Sequence, residues 1–328
     1  MSDLRDDERL RSLLRRIDPA QAASDAGPPA FLRALRDRLA AEQAAARSRE
    51  RRRASRRFGW TLAVASLVVV ATVSVSVALG GQRAEAVSPV PLSFTAPVPV
   101  PQVVAEATDA LSGPAGVENP ARRVHTISWA ISIDDGELQA AVTPQIVELE
   151  WNPDLSGHSL VVEGRVQPGS DGGPGRVSAT DTVVSQVTFA PGEFGVPSPE
   201  APPATVAGMT ELLTMYGMPE HPSAGDLVQS MVTVMDYWTL SDTQHAVLLE
   251  MLVSTGGAAS LGQSVDRLGR DVAGVQIAST IDGLTDTVLL SSDSGRIVGV
   301  ETMRTVADET VPAGTVVEYR MWDSQEEQ

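Results

Sequence analysis

Between Phe58 and Leu79 the chain reads FGWTLAVASLVVVATVSVSVAL, 22 residues without one charged side chain. At 1.5 Å per residue a helix of that length reaches about 33 Å, enough for a hydrocarbon core of about 30 Å. Inside lipid, a lone run can satisfy its own backbone N–H and C=O groups only as a helix. Arg51, Arg52, Arg53, Arg56 and Arg57 stand immediately before it, whereas on the far side Arg83 is offset by Glu85. Under the positive-inside rule this places residues 1–57 in the cytoplasm and 81–328 outside, with Trp60 at the inner interface. A helix buried in a soluble core is compatible with the valine-rich composition but not with the abrupt arginine edge. A cleaved signal peptide would use the small-x-small site Ala84-Glu85-Ala86, yet the 57-residue leader and the 22-residue run are both too long for one.

Charge divides at the same place. Residues 1–57 hold 15 Arg against 9 acids, a balance of +6, and the remainder holds 10 Arg against 33 acids, a balance of −23. Such asymmetry fits two compartments. The acidic part is a poor match for nucleic acid or anionic lipid, so neither is expected as its partner. The chain has no cysteine, which excludes disulfides, thiolate nucleophiles, iron–sulfur clusters and Cys-containing zinc sites. An outer domain without disulfides must be held by its core, and about 248 residues are enough to build one.

In the tail, Leu4, Leu10, Leu13, Leu14 and Ile17 share one face of a short amphipathic helix that Pro19 ends. A second helix opens at Pro28-Pro29 and runs towards the arginines. Two helices with narrow apolar stripes cannot form a core of their own. Leu10, Leu13, Leu14 and Ile17 are therefore candidate contacts for a cytoplasmic partner; the alternative is a solvated segment whose arginines only orient the span.

Residues 80–101 are dense in proline and predict an extended linker. Val103, Val104, Ala107 and Leu111 then recur at helical spacing. From Arg123 the period becomes two: Ile127, Trp129, Ile131 and Ile133 alternate with small polar residues, and Asp134-Asp135-Gly136 turns the chain. Further strands are expected around Val147–Trp151, Leu160–Val166 and Thr182–Phe189, each with one wet face. Helices follow at Thr205–Tyr216, Asp226–Trp238 and Ser241–Ser254, the last opening with an S-x-x-Q capping box. Strands return at Val272–Thr280, Thr287–Ser291, Arg296–Met303 and Val316–Trp322, with Asp293-Ser294-Gly295 as a tight turn. The order predicts an α+β domain over 102–328, a curved antiparallel sheet with helices on one face.

The blocks Leu13-Leu14-Arg15-Arg16-Ile17-Asp18-Pro19, the arginine-flanked span, Pro89-Val90-Pro91-Leu92-Ser93-Phe94, Val103-Val104-Ala105-Glu106-Ala107, the Trp129 strand, Gly269–Val275, Asp293–Gly299 and Pro312–Val317 occur in one order along most of the chain. In this order they resemble a family of uncharacterised, anti-sigma-like single-pass membrane proteins of high-GC Gram-positive bacteria, often encoded beside extracytoplasmic-function sigma factors. The resemblance implies a sigma factor as the partner of the tail and a sensing domain outside. Zinc-binding anti-sigma domains carry His-x3-Cys-x2-Cys; this tail has neither residue, so its binding would be zinc-free. The outer part is also similar to the half-barrel of lipoprotein carriers, a likeness of fold alone.

Catalytic and cofactor signals are weak. His125, His158, His221 and His245 show no metal-ligand spacing, and Leu261-Gly262-Gln263-Ser264-Val265 lacks the last glycine of a nucleophile elbow. No Gly-rich phosphate loop or acidic calcium ladder is present, so no enzyme activity, cofactor or metal is expected. Methionines concentrate in the helices. They read either as core packing or as an adaptable apolar cavity lined by Trp129, Met231, Met235 and Trp238 for an envelope molecule.

Overall fold

Nine of the strands hydrogen-bond into one antiparallel sheet. The computed structural model describes residues 88–113, 116–131, 133–134, 137–138, 143–167, 175–307 and 311–323. The tail residues Leu10, Leu13, Leu14 and Ile17, the arginines 51–57 and the run 58–79 lie outside the described residues. Among the described residues, no helix is long and apolar enough to cross a membrane.

Helix α1 (Val100–Leu111) is followed by β1 (Arg123–Ala130), the short hairpin β2 (Ile133–Asp134) and β3 (Glu137–Leu138), then β4 (Gln145–Trp151), β5 (Gly157–Gln167) and β6 (Arg176–Phe189). Helices α2 (Val206–Met215), α3 (Ala224–Met235) and α4 (Asp242–Thr255) come next. The chain closes with β7 (Ala259–Val265), β8 (Asp271–Ala278), β9 (Leu284–Ser291), β10 (Ile297–Arg304) and β11 (Val316–Asp323). The large sheet runs β6-β5-β4-β1-β11-β10-β9-β8-β7. Laid flat, nine strands would separate the outermost pair by about 38 Å. Yet the Val177 N–H at the start of β6 donates to the carbonyl of Arg267, in the turn between β7 and β8, at 3.4 Å. The sheet must therefore curl.

The helices pack on one face. Their stripes, Met209, Leu212 and Leu213 on α2 and Leu227, Val228, Met231 and Val234 on α3, meet Trp151, Val275, Ile277, Val288, Leu290 and Trp322 from the strands. Helix α4 is apolar nearly all round, with Val247, Leu248, Leu249, Met251 and Leu252 buried, because it touches all three other helices. Its expected capping box is present: the Ser241 Oγ accepts from Gln244 N–H, and Gln244 Oε1 accepts from Ser241 N–H at 2.7 Å.

Two expectations are corrected. Strand β4 keeps the expected wet face, with Glu148 and Glu150 exposed, but across β1 and β8–β11 the same face carries a second core built from Ile127, Trp129, Val272, Leu289, Val298, Val316, Tyr319 and Met321, which Ile146 and Val177 join. It needs a cover, and the cover is the segment read as a linker. From Ser88 onward that segment is a strap across the sheet: Leu92 is buried within the second core and Phe94 packs against it. Gly274 makes room for Phe94, since a Cβ there would sit 2.3 Å from the ring. Thr95 pairs with Gln263 by two backbone bonds of 2.9 and 2.8 Å. The domain thus begins by Ser88 rather than at 102. Proline density reports extended backbone, and an extended segment can lie on a sheet as well as in water.

Candidate functional site

The four residues proposed to line an apolar cavity do not share one. Met231, Met235 and Trp238 come from α3 and the connection to α4, and all are buried in the helix-side core. Trp129 points to the other side of the sheet, where its ring stacks on Tyr319 at 6.0 Å between centroids. Alternation along β1 separates residues 127 and 129 from 124, but it does not say which set meets the helices.

Around Trp238 the helix-side core is aromatic. Trp238 meets Trp151 edge-on, centroids 4.9 Å apart, and Trp151 tilts against Phe194 at 5.5 Å. The Trp151 indole N–H donates to the Tyr237 carbonyl at 2.9 Å. The Arg122 guanidinium lies 4.9 Å from the Trp238 ring and 5.1 Å from that of Trp151, and Nη2 donates to the Pro199 carbonyl at 3.0 Å. A cation of the chain itself therefore fills the aromatic box. Burial pushes the Tyr216 hydroxyl up to about 12.

Met235 and Trp238 do border a pocket, but one of only about 70 Å³, whose other walls include His245, Arg270, Arg296 and Trp322. Ligand pockets for drug-sized molecules are about 300–1,000 Å³, so this space suits a few waters. Its cations are engaged. Arg270 donates from Nε to Asp266 at 2.7 Å, from Nη1 to the Trp322 carbonyl at 2.6 Å and from Nη2 to that of Val298 at 3.1 Å. Arg296 donates to the Leu240 carbonyl and has its Nε 3.4 Å from Asp242. The His245 Nδ1 accepts from the Ile297 N–H at 3.3 Å; burial, and then the Arg296 charge, hold this imidazole neutral, well below the usual histidine range. Its basic nitrogen is thereby committed to the fold. Among the described residues no group of three or more His, Asp or Glu could hold a metal.

The most heavily built polar feature is one that sequence reasoning missed, the clamp on the strap. Arg267 and Glu301 are both 2% exposed. Arg267 donates to Glu301 Oε2 from Nε at 3.0 Å and also from Nη2. That Nη2 reaches the Val90 carbonyl as well, at 3.0 Å, and the guanidinium lies 4.7 Å from the Tyr319 ring centroid. Glu301 Oε1 accepts from the Leu92 N–H at 3.2 Å, and the Ser88 Oγ donates to the Val316 carbonyl at 2.8 Å. Each member of the ion pair thus holds one backbone group of the strap. Burial outweighs the Arg267 charge and raises the Glu301 carboxyl. The one sequence signal was an acid inside the otherwise apolar Ile297–Met303 run. A second buried pair joins Asp236, at the C-terminus of α3, to Arg320 on β11; burial raises Asp236 to about 6 against the pull of Arg320.

A scan against models of known protein families finds no match, and a comparison with curated proteins finds no relative.

Proposed function

We propose that the chain is a single-pass membrane protein in which residues 58–79 span the bilayer, 1–57 are cytoplasmic and the α+β domain lies outside. The domain senses or binds by its surface and does not catalyse. The tail docks a regulator such as a sigma factor, zinc-free, through Leu10, Leu13, Leu14 and Ile17. The observation that carries the reading is the uncharged run behind Arg51, Arg52, Arg53, Arg56 and Arg57. The strap supports a link between the two sides. Residues 80–87 can extend over about 28 Å at most, and at Ser88 the chain is already fastened to the sheet.

The second reading is a lipoprotein-carrier-like half-barrel that holds an apolar envelope molecule, with a tail that only anchors. The curled sheet with helices on one face favours it; the filled helix-side core, where Met231, Met235 and Trp238 are at most 4% exposed, opposes it.

Protease added to intact protoplasts tests the topology: the outer domain should be digested and an N-terminal tag spared, and full-length protein in the soluble fraction would sink the reading. Capture on the tail tests the regulator. A specific partner lost on Leu13→Asp supports docking, and no partner favours the anchor. Unfolding of the full chain in detergent separates the outer-domain readings. A gain in stability with lipid extract would favour the carrier, since a ligand of the folded state shifts unfolding by mass action.

A further inference from the structure

Two large apolar side chains stand out of the domain side by side. Ile281 is 61% exposed and Val306 is 63% exposed. They belong to neighbouring loops at one end of the sheet, β8–β9 and β10–β11. The Thr305 N–H donates to the Gly283 carbonyl at 2.8 Å, and the Leu284 N–H donates to that of Ile281 at 3.1 Å. The Arg304 Nε donates to the Val306 carbonyl at 3.1 Å and closes the turn that presents Val306. Both loops are thus tied by hydrogen bonds to backbone carbonyls at the tips.

The same end receives the chain. Ser88 is bonded to the Val316 carbonyl, and the carbonyl of the preceding Thr315 accepts from the Arg304 N–H at 2.9 Å. Ser88, Val306 and Ile281 are linked through three strand ends by consecutive hydrogen bonds. We infer that this end of the domain rests on the bilayer, with Ile281 and Val306 inserted among the headgroups of zwitterionic lipid. The inference rests on the proposed span at 58–79. Given that span, residues 80–87 keep Ser88 within about 28 Å of the membrane. Two side chains could not hold a free domain on a bilayer, but a short tether makes the encounter intramolecular. Asp282 adjoins Ile281, and Asp308-Glu309 follow Val306 closely in sequence. Residues 58–328 carry a balance of −23 and are repelled by anionic leaflets, which is why the partner is a zwitterionic surface.

Because the chain has no cysteine, Ile281→Cys, Val306→Cys and Val265→Cys each give one labelling site. Val265 is 45% exposed and ends β7 at the opposite end of the sheet. Each full-length variant is labelled with an environment-sensitive fluorophore and reconstituted into phosphatidylcholine vesicles carrying headgroup spin label. Quenching at 281 and 306 should exceed that at 265 by at least about twofold, and it should weaken when part of the lipid is replaced by phosphatidylglycerol. Equal quenching at the three positions, in protein that resists alkaline carbonate extraction, overturns the contact while leaving the span intact. Protein released by carbonate overturns both. Stronger quenching with phosphatidylglycerol overturns the choice of lipid.

Discussion

Removing either half of the Arg267–Glu301 pair should cost far more than removing both. In Glu301→Leu, Arg267 stays 2% exposed with the Val90 carbonyl and the Tyr319 ring as its remaining contacts. An uncompensated buried charge costs about 3–5 kcal/mol. For a domain of this size each kcal/mol lowers Tm by about 2–4 °C, so the midpoint should fall by about 10 °C. Arg267→Met leaves Glu301 buried and should cost a similar amount. The double variant removes both charges and fills the space with apolar atoms. It loses only the bonds to Leu92 N–H and Val90 C=O, about 1–3 kcal/mol. The cycle should therefore fall short of additivity by at least about 2 kcal/mol. Urea unfolding of the full chain in detergent, followed by tryptophan fluorescence, measures it. Hydrogen exchange adds a local readout, because the Leu92 amide loses its acceptor in Glu301→Leu and should exchange faster while the α4 amides keep their relative order. Single variants within about 0.5 kcal/mol of the wild type, or an additive cycle, would refute the clamp.

Two of the buried titrating groups, Asp236 and His245, should give opposite pH slopes. Asp236 is pushed up to about 6 from 3.8, so its share of stability is complete below about 3.8 and is lost as pH rises through about 6; that share is about 3 kcal/mol at 1.36 kcal/mol per unit. Urea midpoints between pH 4 and 7 should fall less steeply with rising pH in Asp236→Asn. His245 is held neutral in the fold, so its share is present above about 6.5 and is lost as pH falls below that. In His245→Asn, which offers an oxygen to Ile297 N–H, the acid-side loss should shrink, and an unchanged slope would show that the imidazole protonates in place. Gly295 has φ 72° and a Cβ there would lie 1.9 Å from the Ala107 carbonyl oxygen; Gly295→Ala should cost at least about 2 kcal/mol in the same assay.

What lay within a few residues was legible in the sequence. The capping box at Ser241, the turn at Asp293–Gly295, the helix ending at Leu111 and the β1 alternation all depend on neighbours one to four positions away, and the structure places each as expected. The antiparallel sheet with helices on one face followed from the element order. Strand β7 did not: its run Ala-Ser-Leu-Gly-Gln-Ser-Val is partly exposed and carries little period-two contrast, as an edge strand can afford. Nor did the side on which Trp129 falls, because alternation defines two faces without naming them.

The sequence by itself determined the uncharged run at 58–79, its arginine flank and the opposite charge of the two halves, since these need no partner elsewhere in the chain. The tertiary structure alone decided that a proline-rich segment becomes the cover of a second core. That choice is made by Leu92 meeting Glu301, 209 positions away, and by Arg267 meeting an acid on another strand. A buried charge is tolerable only beside its counter-charge, and pairing at that distance exists only once the sheet has formed and curled.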